Sequence, residues 1–200
     1  MDERGSGGWT QLSGEERFRQ DSFLKRIALC AQYFQHVSLF PRYLSSIHSN
    51  CDQIKIRQLL LENLNEEEKG KENHPELWMR FAEGMGKKRE DVKNTVAIKE
   101  TEELVGNFMK LSKDERYHVG FSALYCYESM IPEIAENKID GLKRYYGVKN
   151  GEDTLKFFEV HQSADIIHRQ VIKDLIGDVC DTDEKKEEAL EAIELALFSL

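Results

Sequence analysis

The sequence predicts an all-α domain, and three observations carry that prediction. Only three prolines occur in 200 residues; Leu, Ile, Phe and Ala recur at intervals of three and four; and no segment alternates apolar with polar as a half-buried strand does.

Taken in order, residues 1–12 are Gly-rich and read as a loose leader, with a single helical domain expected over 13–200. The first convincing helical pattern covers Gln20 to Val37, and Pro41 is expected to break or bend the chain before Tyr43 to Ser49. A helix from Gln53 to Glu68 should end near Gly70. Another should open at Asn73-His74-Pro75, where Asn is a good N-cap and Pro suits the first turn. The Lys-rich stretch Gly86 to Asn94 reads as a solvated loop. Further helices are expected over Ile98 to Leu111, Asp114 to Tyr146 with a bend at Pro132, Asp153 to Val179, and Asp183 to Phe198.

Hydrophobic residues make up 40% of the chain, enough for a single core. The net charge of −9, with no concentrated basic stretch, argues against nucleic acid or an anionic membrane as a partner. Cys30, Cys51, Cys126 and Cys180 form no C-x-x-C pair and no dense framework, so they read as reduced, mostly buried thiols. The N-terminus has no apolar core of signal-peptide length and no run of about 18 apolar residues occurs. The cytoplasm is the expected address.

Chemistry enters where polar residues occupy core positions. In the segment beginning at Asp153 the stripe runs Phe158, His161, Asp165, His168, Ile172, Leu175, Val179, in steps of three and four. Offsets of four and seven place His161, Asp165 and His168 within an arc of roughly 60°. An unpaired carboxylate there costs several kcal/mol, so a cation or a hydrogen-bond network must compensate it. The preceding long helix has the stripe Phe121, Leu124, Glu128, Ile131, Ala135, Lys138, and on the Gln53 helix Leu60 and Leu64 are followed by Glu67, with His74 seven residues further on.

Each signal has a plainer account. A single stripe histidine is commonly a satisfied core residue, Glu67 sits in the run Glu66-Glu67-Glu68 that suits a solvated helix end, and His74 could face solvent at its helix start. Together, three carboxylates and three histidines on facing helices match the ligand supply of two-metal helical bundles, with oxygen and imidazole donors suited to iron or manganese. Thiolate clusters are absent, which disfavours zinc without excluding it. His36, His48 and His118 lack such company and are assigned to packing or surface.

The stretches Phe40-Pro41-Arg42-Tyr43-Leu44-Ser45-Ser46-Ile47-His48, Leu60-Leu61-Glu62-Asn63-Leu64 ahead of Glu67, Asn73-His74-Pro75-Glu76-Leu77-Trp78, Ala123 through Tyr125, Tyr127 and Glu128 to Pro132, and His161 through Asp165 to His168 carry a family likeness. The chain resembles the chlamydial protein associating with death domains and its bacterial relatives, haem-oxygenase-like di-metal oxidases near the TenA and PqqC proteins. The resemblance implies a bundle of about seven helices, metal-ligand positions at Glu67, His74, Glu128, His161, Asp165 and His168, and two iron ions or one iron and one manganese. It also implies dioxygen as co-substrate and an oxygen-dependent route to p-aminobenzoate in folate synthesis, in which a protein tyrosine supplies the ring and a lysine the nitrogen. Lys138 occupies that lysine's place, and Tyr125 and Tyr127 match family tyrosines. From the residues alone, Lys138 is a stripe position that either faces the interior or snorkels outward, and the tyrosines also suit core packing.

The region before Phe40 aligns poorly, and no residue matches the family's sacrificed tyrosine on an additional N-terminal helix. A start further upstream, a different tyrosine or external aromatic substrate, or loss of the oxidative activity are the alternatives. A homodimer is the expected assembly. The rival functions are a metal-free PqqC- or TenA-type enzyme and an interaction protein binding a host death domain, the latter compatible with a secreted effector.

Overall fold

The computed structural model describes the backbone from Gly14 onward and the side chains of residues 29–162 and 173–200. Eight helices occur among the described residues: α1 (Gly14–Asn50), α2 (Ile54–Glu68), α3 (His74–Gly84), α4 (Arg89–Lys93), α5 (Lys99–Ser112), α6 (Tyr117–Tyr146), α7 (Asp153–Val179) and α8 (Asp183–Ser199). No strand is present among them. The all-α prediction holds, with one helix more than the expected seven or so.

Two differences from expectation have their causes in packing. Pro41 does not break the first helix, which runs unbroken from Gly14 to Asn50. A proline inside a helix costs about 3 kcal/mol through its lost hydrogen bond and its ring clash. Burial opposes that cost, because Phe40, Tyr43, Leu44 and Ile47 around it are all 5% exposed or less. Arg57 closes the end of α1 by donating from its guanidinium to the carbonyls of His48 at 2.6 Å and Cys51 at 3.1 Å.

The Lys-rich stretch is likewise not wholly a solvated loop, since it contains α4. Val92 on that short helix is fully buried against Ala31, Met79 and Ala82. Arg89, beside it, donates to both carboxylate oxygens of Glu76 on α3, at 2.6 and 2.8 Å. One apolar anchor and one forked ion pair thus fold a charged segment onto α3.

Two neighbouring cores result. One joins the second half of α1 to α2, α5, α6 and α8 around Tyr43, Ile47, Leu60, Phe108, Phe121 and Ala196. The other joins α1 to α3, α6 and α7 around Trp78, Phe81, Ile139, Leu155, Phe157 and Phe158. α6 packs along both α7 and α8, and α3 along α7. The close approach of α6 to α1 and α5 requires Gly120, where an added Cβ would lie 2.8 Å from Ile47 Cγ1, 2.9 Å from the Leu111 carbonyl oxygen and 3.0 Å from Ser112 Cα. Gly120→Ala is therefore expected to destabilise the protein by about 1–3 kcal/mol, as overpacked cores do, measurable as a lowered denaturant midpoint.

All four cysteines are free and buried, as expected from their spacing. Among the described residues, no helix is long and apolar enough to cross a membrane.

Candidate metal centre

Glu67 and His74 come together because the chain turns sharply between α2 and α3. Gly70 supplies the turn with φ +82°, a conformation other residues rarely adopt. Asn73 then caps α3, its side-chain oxygen accepting from the Glu76 amide at 3.0 Å, and Pro75 occupies the first turn. The cap fixes where His74 stands, at the helix start and pointed at the end of α2. Glu67, read from sequence as either a ligand or a solvated helix end, is only 5% exposed.

α7 supplies the facing histidine. His161 stacks over His74, ring centroids 4.4 Å apart, and over Phe157 at 4.2 Å. Its Nδ1 lies 2.6 Å from the Phe157 carbonyl oxygen. A carbonyl can only accept, so Nδ1 carries the proton and Nε2 keeps its lone pair free for a ligand bond, the arrangement common in metal-binding histidines. The α3–α7 contact that sets this geometry is largely aromatic. Trp78 packs on Phe157 at 4.8 Å, while its Nε1 donates to the Cys30 carbonyl at 2.8 Å. Lys156 adds a bridge from α7 to Glu72 at 2.7 Å.

One ligand atom from each of Glu67, His74 and His161 lies within 4.8 Å of the other two. His74 Nδ1 lies 2.7 Å from Glu67 Oε1 in a buried contact, and the His161 ring stands over the same point. Three ligand-type side chains that crowd one buried point are arranged as the ligands of a cation are. The site fits a metal ion, and the donor set of one carboxylate and two imidazoles suits iron.

Burial fixes the charge of the cluster. It pushes Glu67 up to about 8, against which the nearby His161 pulls downward. It lowers His74 to about 4, and together with the adjacent His74 it lowers His161 to about 4. Without metal the trio is thus a neutral acid and two neutral imidazoles at pH 7. The raised Glu67 contributes stability that is complete below its unfolded value near 4.5 and is lost as pH rises through about 8. The depressed histidines contribute stability present above 6.5 and lost as pH falls through about 4. The melting temperature of the metal-free protein should therefore peak near pH 6.5 and decline to either side. A steady rise from pH 6 to 9 would contradict this assignment.

Glu128 lines the same cleft from α6, together with Val37, Phe40, Asn63, Tyr127, Ile131 and Val160. It accepts from Asn63 Nδ2 at 2.8 Å. The side chains of Asp165 and His168 lie outside the described residues, although the α7 backbone continues through both positions. Among the other expected participants, Tyr127 is buried and its hydroxyl hydrogen-bonds that of Tyr33 on α1. Burial raises Tyr33 to about 12 and holds Tyr127 well above its ordinary value, so both are neutral phenols. Tyr125 is half-buried on a different side of α6. Lys138 does not face the interior: it is exposed, and the buried stripe passes through Ala135, Ile139 and Leu142 instead. Steps of three or four both satisfy a helix, and the apolar Ile139 takes the inward position.

Asn63 and Tyr33 were not singled out from the sequence. Asn63 was findable, since it lies on the stripe of three- and four-residue steps from Leu60 to Glu67. Tyr33 had no comparable signal, because its partner is 94 residues away. Of the other histidines, His118 pairs with Glu188 at 2.7 Å, and His48 is half-buried. His36 is completely buried among the rings of Tyr33, Phe40, Tyr43, Phe108 and Tyr127, and burial lowers it to about 3.

Known proteins resemble the chain in both sequence and fold. It is 41% identical over 178 residues to a 4-aminobenzoate synthase of Nitrosomonas europaea, covering 84% of this chain and 72% of that one. It is 40% identical over 159 residues to a 4-aminobenzoate synthase of Chlamydia trachomatis, covering 80% and 68%. A haem oxygenase-like domain of unknown function from Shewanella denitrificans superposes with a TM-score of 0.73 at 17% identity, over 96% of this chain and 89% of that one. A TenA homologue from Pseudomonas syringae gives 0.71 at 14% identity, over 86% and 74%. These two structures speak to the fold, which is haem-oxygenase-like. Residues 27–199 match the family described as iron-containing redox enzymes, and the chain, with its carboxylate and imidazoles converging between α2, α3 and α7, belongs to that family.

Proposed function

We propose that this chain forms 4-aminobenzoate in an oxygen-dependent reaction at a centre of two irons, or of one iron and one manganese. The ligands are Glu67, His74 and His161 with Glu128, Asp165 and His168. The observation that carries the reading is the convergence of Glu67, His74 and His161, whose ligand atoms all lie within 4.8 Å of one another. The identity of about 40% to 4-aminobenzoate synthases supports it.

Bound metal supplies the one-electron chemistry and the place where dioxygen is reduced. The protein's own groups do the rest. Glu67 gives up its proton when a cation enters, which replaces a neutral buried acid by a neutralised ion pair. The Phe157 carbonyl holds the proton on His161 Nδ1 and so keeps Nε2 directed inward. Val37, Phe40, Ile131, Phe157 and Val160 line the cleft and limit water. Tyr127 stands beside Glu128 with its hydroxyl hydrogen-bonded to that of Tyr33, and is the phenol best placed to donate an electron or a ring. Lys138 is kept as the nitrogen donor on the family resemblance. It stands ten residues beyond Glu128, about 15 Å along α6, so its amine must approach from the solvent side.

The test is to load the purified chain with iron, or iron and manganese, without oxygen, and then admit air. Near-stoichiometric metal and newly formed 4-aminobenzoate are expected. Glu128→Ala should lose the product, and Lys138→Arg should lose it while keeping the metal. Absence of bound metal in the wild-type chain would overturn the proposal.

A further inference from the structure

Asn63 stands on α2 one helical turn before Glu67, so the two side chains leave the helix on the same face. Both line the metal-side cleft, and Glu128 reaches that cleft from α6. α2 packs along α1 and α3, whereas α6 packs along α7, α8, α5 and α1. The hydrogen bond of 2.8 Å from Asn63 Nδ2 to Glu128 Oε1 therefore links two helices that pack mainly against others, at the level where each contributes a carboxylate. Glu128 also borders the smaller cleft beside Leu59, Leu60 and Tyr125, so its carboxylate stands where two clefts meet.

We propose that Asn63 is a positioning residue of the metal centre, holding the Glu128 carboxylate toward Glu67, His74 and His161 so that an entering cation meets it already oriented. The inference rests on the metal-dependent reading above. Three features select this role over plain packing. Position 63 belongs to the stripe that runs from Leu60 to Glu67, where a leucine would pack as well, yet it carries a half-buried amide whose donor is spent on a carboxylate. That amide donates without carrying charge. It therefore neither repels a cation, as Lys or Arg at this place would, nor repels Glu128, as Asp would. Carboxylates that ligate metals are commonly hydrogen-bonded in turn, and the bond fixes their direction. Because Asn63 and Glu67 stand about 6 Å apart along one helix, the same bond also ties the place of Glu128 on α6 to that of Glu67 on α2. Carboxylates projecting inward from facing helices are what build a two-metal centre in a bundle, and their relative placement decides whether they can share its ions.

Metal binding tests the role without any turnover. Asn63→Leu keeps the size of the side chain and removes the donor, and Asn63→Ala removes the donor without filling its space. Anaerobic titration of the full chain with iron(II) alone, against a competing chelator, should show affinity lower by about 10- to 100-fold in both variants. Their metal-free melting temperatures should stay within about 4 °C of the wild type. Asn65→Ala, a change at an exposed position of the same helix, should leave iron affinity within about twofold. Cobalt(II), whose visible absorption reports its coordination geometry, supplies a readout that a loss of stability would not move. At saturating cobalt the bands of both Asn63 variants should differ from those of the wild type, because Glu128 is no longer held. Unchanged iron affinity in both variants, or wild-type cobalt bands at saturation, overturns the inference. A wild-type chain that takes up neither ion fails the metal-dependent reading itself, and the inference with it.

Discussion

Replacing His161 by alanine is expected to reduce bound iron from near-stoichiometric to trace, a loss of affinity of at least about a hundredfold. Changes in groups that merely support a metal ligand already cost 10- to 100-fold, and removal of a ligand atom costs more. The expectation follows from how His161 is held. Its ring is held by the Phe157 carbonyl and packed between His74 and Phe157, which aims Nε2 at the cluster. Metal content after reconstitution and desalting reads the result directly. His36→Phe provides the comparison, because His36 is likewise set among aromatic rings but is fully buried behind Tyr127. That variant should keep its iron. Retention of full iron by His161→Ala would remove α7 from the centre.

The second large effect concerns stability. Phe108→Ala should cost about 3–5 kcal/mol, the usual range for truncating a fully buried aromatic residue. Phe108 is 0% exposed, and its ring meets His36 at 5.0 Å, Tyr43 at 5.8 Å and Tyr127 at 5.9 Å. For a domain of this size the loss corresponds to a melting temperature lower by about 6–20 °C. Circular dichroism during thermal unfolding gives the number. A fall of only a degree or two would mean that the layer between α1, α5 and α6 repacks around the cavity. Because Tyr127 precedes Glu128, the same variant should also loosen the metal-side cleft, seen as weaker iron retention at temperatures where the protein is still folded.

Several parts of this architecture were legible in the chain because they depend on neighbours a few residues apart. The boundaries of α7 coincide with the pattern from Asp153 to Val179, and α3 opens at Asn73-His74-Pro75 because a cap and a first-turn proline are local instructions. His161 was visible as a polar residue in an apolar stripe. The same method left Lys138 open between inward and outward, since stripe spacing alone does not choose between adjacent positions, and the fold buries Ile139 and exposes Lys138. Pro41 was read as a break or a bend, yet α1 is continuous through it. Its local cost is real, but contacts from α2, α5 and α6 to the surrounding Phe40, Tyr43, Leu44 and Ile47 outweigh it.

By itself, then, the sequence determined the helical class, most helix limits and the residue types of a carboxylate and imidazole centre, all of which follow from periodicity, capping and the cost of burying charge. Tertiary structure alone decided that Glu67 is buried rather than solvated, that His74 Nδ1 meets it at 2.7 Å, that Asn63 holds Glu128, and that the Tyr33 and Tyr127 hydroxyls hydrogen-bond. The physical reason is range. Helix propensity and caps act within about one turn, whereas the direction of a buried carboxylate depends on which helices close around it.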